Sequence, residues 1–294
     1  MCAVVGVGGP ICLQQKNLMR TTHHNSHALE FEERQIGGVG ILLPRPTLPP
    51  ENTYVGDEVL IRRTMAAWEA GLHFSLIGPP GVGKNELVYE LARITKTPFY
   101  IIQGHEELTP EDLAAGARIG SGNRVEYIGS ALLAAMVDGG ICFFDEIGKV
   151  PARALSLLAS ALDDRRMLTS AITGITLTAH PDFRFCAALN DADSCSLPAY
   201  VNERLLPRFK MGHRTPAETA EIVKVRMGLA AEDLYLLESF RDEAARGETP
   251  SPRLALTIVK YARQHWLTLQ NRTRDEARRL IREAFEVVAI ERGG

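Results

Sequence analysis

Apolar and polar residues divide the chain into a nearly patternless start, a middle of short apolar runs set between helical stretches, and a helical end. Residues 1–50 carry little periodicity, and Pro44, Pro46, Pro49 and Pro50 read as a stiff linker closing a flexible tail. From Asp57 to Ala70 the spacing is helical, with Val59, Leu60, Met65, Ala66 and Trp68 available for the buried side and Gly71 as the stop. Residues 72–77 are an apolar run of strand length, broken by a glycine-rich turn over 78–84, and a helix to Arg93 follows. Further on the pattern predicts a strand over 99–103, a short helix from Thr109-Pro110, a hairpin tip at 120–123 and a helix over 130–137 stopped by Gly139-Gly140. Residues 141–144 are all apolar, as in a strand buried on both faces. A helix over 151–163, a hairpin over 167–179 about Thr173-Gly174 and a strand over 183–189 come next. From Thr215 to Ile290 the spacing is helical, with Pro252 at a helix start. Strands alternating with helices predict an α/β fold, followed by an all-α segment.

Composition adds bounds. The chain has 294 residues, enough for one large domain or two moderate ones. Apolar residues make up 45% and charged ones 23%, as in an ordinary soluble globular protein. A net charge of −3 gives no global basic field for nucleic acid. Five cysteines (Cys2, Cys12, Cys142, Cys186, Cys195) are odd in number and scattered, which argues for a reducing cytoplasmic setting rather than a disulfide framework. No apolar run approaches the roughly 18 residues that span a membrane, so no membrane insertion is expected. The first residues lack the basic start of a signal peptide. Cys2, Cys12, His23, His24 and His27 fit no standard zinc spacing.

The chemistry concentrates at two places. Gly78-Pro79-Pro80-Gly81-Val82-Gly83-Lys84 lies between a strand and a helix, the setting of a phosphate-binding loop. Its glycines let several N–H groups face one anion, the helix adds its N-terminal positive end, and Lys84 reaches the outer phosphates. The next position, where this pattern has Ser or Thr for Mg²⁺, is Asn85. Its amide oxygen is a potential Mg²⁺ ligand of different geometry. Asp145 and Glu146 end the strand begun at Ile141, where ligands sit in open α/β sheets. Asp145 is placed to hold Mg²⁺, directly or through water, and Glu146 to orient and deprotonate a water. Asn190 ends another strand, a polar amide suited to sensing a terminal phosphate or to holding the water. Arg204 and Arg208 are candidates to reach a neighbouring subunit's site.

Together GPPGVGK at 78–84, GSALLAAMVDGGICFFDE at 129–146, the ALN ending at Asn190, the arginines before Phe209 and SPR at 251–253 resemble an AAA+ ATPase. More narrowly they resemble the MoxR group, with its CbbQ/NirQ/NorQ-like members, over about residues 51–290. The resemblance implies a P-loop NTPase αβα sandwich with a parallel sheet over 51–212 and a helical lid over 213–294, after a tail and linker over 1–50. It implies that ATP and Mg²⁺ are bound by Val55 and Gly56 (adenine), the loop from Gly78 to Lys84, Asn85, Glu86 and Asp145. Glu146 would be the catalytic carboxylate and Asn190 a sensor. Arg208 or Arg204 would be the arginine finger, and Arg253 the lid arginine. It implies a homo-oligomer, a hexameric ring, remodelling or activating a client protein, with a von Willebrand factor A domain protein as partner. Hairpins near 117–126 and 167–179 would face the pore or client. Two departures open alternatives. Asn85 suggests a nucleotide-gated scaffold with weak hydrolysis. Asn190-Asp191-Ala192-Asp193 is similar to the N-x-x-D of McrB-type GTPases, motors that act with a nuclease on nucleic acid, and Arg118, Arg124, Arg165 and Arg166 would then face such a pore.

Overall fold

A computed structural model describes residues 30–50, 54–120, 122–191 and 197–289. In chain order the strands and helices are β1 (Phe31–Ile36), β2 (Val39–Pro44), α1 (Glu58–Glu69), β3 (Phe74–Ile77), α2 (Lys84–Thr95), β4 (Phe99–Gln103) and α3 (Pro110–Leu113). Then come β5 (Ala115–Ile119), β6 (Val125–Gly129), α4 (Ala131–Asp138), β7 (Ile141–Asp145), α5 (Ala152–Leu155), α6 (Leu158–Ala161), β8 (Met167–Thr169), β9 (Thr176–Thr178) and β10 (Arg184–Leu189). The chain ends with α7 (Ala199–Arg204), β11 (Arg208–Lys210), α8 (Pro216–Met227), α9 (Leu234–Ala244), α10 (Pro252–Trp266) and α11 (Arg274–Ala289).

The central sheet runs β11-β3-β10-β7-β4, and every neighbouring pair is parallel. Side chains alternate between its faces, as the period of a strand requires. On β7, Cys142 and Phe144 join the core that includes Leu132 to Met136 of α4. Ile141 and Phe143 join the opposite core, with Leu87, Val88 and Leu91 of α2 and Ala67 of α1. β10 divides the same way, Phe185, Ala187 and Leu189 to one side and Cys186 and Ala188 to the other. A strand covered on both faces reads as an unbroken apolar run, which is why 141–144 carried no alternation. Cys142 and Cys186 are free and fully buried, and burial pushes both thiols above the ordinary range. The other three cysteines, with His23, His24 and His27, lie outside the described residues.

A separate core joins α8, α9, α10 and α11 around Val223, Phe240, Ile258 and the fully buried Trp266. Thr215 and Glu218 form a capping box at the start of α8, and Ser251 caps α10 with Pro252 at its first position.

Three expectations are corrected. Residues 31–44 are not a flexible tail: β1 and β2 pair antiparallel over six residues, and β2 pairs in parallel with β6 at Ile41 and Leu42. Ile36, Ile41 and Leu43 are buried there. The hairpin escaped notice because β1 turns Glu32, Glu33 and Arg34 to solvent and sends only Ile36 fully inward. The proline stretch after it lies against an edge strand, with Thr47 N–H donating to the Phe99 carbonyl at 2.7 Å. On α1, Val59 and Ala66 are exposed, and Thr64 and Ala67 are buried instead. The single helix expected over 151–163 is two short ones, α5 and α6. Between them Ser156 Oγ donates to the Arg153 carbonyl at 2.6 Å, the local bond by which serine competes with the helical ladder.

Candidate functional site

The C-terminal ends of β3, β10 and β7 lie side by side, the place where open parallel sheets hold their ligands. Each strand delivers one part of the site. The glycine loop follows β3, Asn190 follows β10, and Asp145 ends β7 with Glu146 directly after it. In the loop, Gly81 and Gly83 take φ of 76° and 101°, left-handed conformations that exclude most side chains. Gly78 has a different reason to be glycine, since a Cβ there would overlap the Met211 carbonyl.

Lys84 begins α2 and is buried. Its Nζ donates to the carbonyls of Gly78 at 2.6 Å and Pro79 at 3.1 Å, and to Asn190 Oδ1 at 3.0 Å. Burial draws its ammonium below the ordinary lysine range, opposed by the charges of Asp145, Asp191 and Glu146. Asn85 Nδ2 donates to Asp145 Oδ2 at 2.8 Å, and the Glu146 N–H donates to Asp145 Oδ1 at 2.9 Å. Asn85 and Asp145 therefore meet as donor and acceptor, not as two oxygen ligands, and this arrangement does not fit the Mg²⁺ pair expected of them. Among the described residues no group of three or more His, Cys, Asp and Glu is placed to hold a metal. Glu146 has φ 53°, and its carboxylate accepts from Gln103 Nε2 at 2.7 Å and Lys149 Nζ at 2.8 Å.

A cavity of about 340 Å³ lies over these groups. Of the expected residues, Val55, Pro80, Gly81, Val82, Gly83, Lys84, Asn85, Glu86, Asp145, Glu146, Asn190 and Arg253 line it. Gly56, Gly78 and Pro79 do not. Gly56 lets the Tyr54 ring fold close, because a Cβ there would overlap that ring. Arg204 and Arg208 also lie off the cavity: Arg204 Nη1 donates to the Tyr200 carbonyl at 2.6 Å and Arg208 Nη2 to that of Asn202 at 3.3 Å. Residues that sequence reasoning missed complete the wall: Tyr54, Tyr89, Ile222, Arg226, Pro252 and Leu256. The signal that could have found Tyr89 and Leu256 is helical spacing, four residues past Asn85 and three past Arg253. Nothing in the sequence pointed to Ile222 or Arg226, which α8 brings in from the helical part. Arg226 donates to both Glu86 oxygens, at 2.7 and 3.1 Å. The Tyr54 hydroxyl accepts from Arg214 Nη2 at 2.9 Å, and burial pushes that phenol above its usual range.

The arginines considered for nucleic acid are mostly engaged internally. Arg118 pairs with Glu126 at 3.0 Å and Arg165 with Asp163 at 2.7 Å. Arg166 donates to the carbonyls of His180 and Phe183. Among the described residues no helix is long and apolar enough to cross a membrane.

A glycine loop running into a helix on a parallel sheet, with a carboxylate pair on a nearby strand end, defines a P-loop NTPase fold. Residues 73–209 match the AAA domain model of the dynein-related subfamily. The chain is 30% identical over 164 residues to an uncharacterized protein of Staphylococcus haemolyticus, covering 54% of this chain and 62% of that one. A second uncharacterized protein, from Staphylococcus epidermidis, is 30% identical over 157 residues, covering 52% and 59%. The matches thus span about three fifths of these relatives' length. Among solved structures the fold is similar to the RuvB Holliday junction branch migration motor of Thermotoga maritima (TM-score 0.57, 21% identity, 82% of this chain and 72% of that one). It is also similar to NtrX of Brucella abortus in complex with ADP (TM-score 0.52, 15% identity, 76% and 54%).

Proposed function

We propose that this chain binds and hydrolyses ATP in a ring of its own copies and uses the turnover to remodel or activate a client protein, as a MoxR-like AAA+ ATPase. The observation that carries the reading is the convergence of Lys84, Asp145, Glu146, Asn190 and Arg253 from four separate segments on one cavity. In it, residues 51–212 form the nucleotide-binding unit and 213–294 the lid. The loop N–H groups and Lys84 hold the phosphates. Tyr54, Val55, Ile222 and Leu256 offer the apolar wall for the base. Glu146 takes a proton from the attacking water once Gln103 and Lys149 release its Oε2, so that this oxygen is open to the water. Arg208 or Arg204 serves the neighbouring copy as its finger, which accords with both lying away from their own cavity.

The Asn85–Asp145 bond and the engaged Glu146 favour a second reading, a nucleotide-gated scaffold that turns over slowly. Phosphate release from ATP by the full chain, at assembling concentrations with Mg²⁺, separates the two. The ATPase reading expects turnover in the wild type, and in Glu146→Gln a loss of about 100-fold or more with bound ATP retained. ATP bound but not hydrolysed by the wild type would leave the scaffold.

A further inference from the structure

Asn85 stands where this loop pattern normally supplies a hydroxyl to Mg²⁺. Its side chain leaves the first turn of α2 and donates Nδ2 to Asp145 Oδ2 at 2.8 Å. Asp145 Oδ1 already accepts the Glu146 N–H at 2.9 Å. Each carboxylate oxygen therefore holds a donor. The amide orientation is dictated by its partner. Turned over, it would set the Asn85 carbonyl oxygen against a carboxylate oxygen, acceptor against acceptor. With Nδ2 committed to Asp145, the amide oxygen on the same planar group faces elsewhere. The two residues then cannot offer oxygens to one point.

Mg²⁺ needs near-ideal octahedral oxygen geometry at about 2.0–2.1 Å and surrenders its waters reluctantly. To take Asp145 Oδ2 and the Asn85 oxygen as ligands together it would have to turn the amide over. Fixed positive charge meanwhile lines the same cavity. Lys84 and Arg253 are there, beside the N-terminus of α2, while Arg226 is held by Glu86. These groups neutralise phosphate without a metal.

We propose that Asn85 makes nucleotide binding here independent of divalent cation: ADP and ATP are held by the loop, Lys84 and Arg253, and Mg²⁺ adds little affinity. The proposal rests on the nucleotide-binding reading above. It assigns Asn85 the role of a positioning residue that keeps Asp145 occupied, so nucleotide exchange would ignore changes in free Mg²⁺.

The experiment is titration of the full chain with a fluorescent ADP analogue, once in Mg²⁺ and once in EDTA. The wild-type affinities should agree within about threefold, while Asn85→Thr and Asn85→Ser should bind at least about tenfold tighter in Mg²⁺ than in EDTA. A paramagnetic titration with Mn²⁺ adds a direct readout. The ADP-loaded wild type should take up no more Mn²⁺ than free ADP does, and Asn85→Thr should take up more. Wild-type binding that Mg²⁺ tightens tenfold overturns the proposal and leaves the nucleotide site standing. So does the same indifference to Mg²⁺ in both variants, since Asn85 would then not be its cause. Failure of the wild type to bind ADP in either buffer overturns the nucleotide reading itself.

Discussion

His73 shows how one buried side chain ties the sheet to solution conditions. Its Nδ1 accepts the Phe185 N–H at 3.0 Å, joining β3 to the start of β10, and its ring lies 5.5 Å from that of Phe183. Burial first, and then the charges of Arg166 and Arg184, lower its pKa from 6.5 to about 3. A group depressed in the folded state stabilises the fold above its unfolded pKa, and that contribution is lost as pH falls from 6.5 toward 3. Each pKa unit is worth about 1.4 kcal/mol. His73→Asn keeps an acceptor for Phe185 and does not titrate. Thermal unfolding followed between pH 7 and 4 should therefore fall more steeply in the wild type than in the variant. Equal slopes would mean that His73 is not buried neutral. Such a contact was not legible in the sequence, where His73 reads only as a polar break in an apolar run. Lys84, Asp145 and Glu146 were legible because their chemistry is fixed by the local strand, loop and strand end.

Between elements, the joint that matters is α2 against α8. Glu86 sits in the first turn of α2 and Arg226 in the last turn of α8, each at the helix end whose dipole suits its charge. Their two-pronged bond closes one wall of the cavity across the gap from sheet to helices. Both are partly exposed, 33% and 23%, so the pair is worth no more than about 1 kcal/mol in stability. Its consequence is expected in nucleotide release. Glu86→Ala and Arg226→Ala should each speed ADP dissociation severalfold, and the double variant should be little worse than either, a coupling of about 1 kcal/mol. Stopped-flow release rates check this, and fully additive effects would show that the pair does not act as a unit. Secondary structure was readable where the pattern was strong, as in β4, α4 and the helices after Thr215. It failed over residues 31–44 and 151–163. There a polar edge strand and a serine-broken helix hide what tertiary pairing decides.

On the scale of the whole chain, two cores flank one sheet and a third gathers the last four helices, with the cavity lined from both the sheet and the helices. The sequence announced the half of the site built on strand ends. It was silent on the half delivered by α8, because no local pattern tells a helix which distant loop it will face. The central claim is that this shared cavity is a nucleotide site organised by Lys84. Its most direct test is calorimetric titration of the purified full chain with ADP. The account predicts saturable binding at one site per chain, weakened at least about tenfold in Lys84→Ala while the far-ultraviolet circular dichroism stays unchanged. Absence of binding in the wild type, or equal binding in Lys84→Ala, would contradict it.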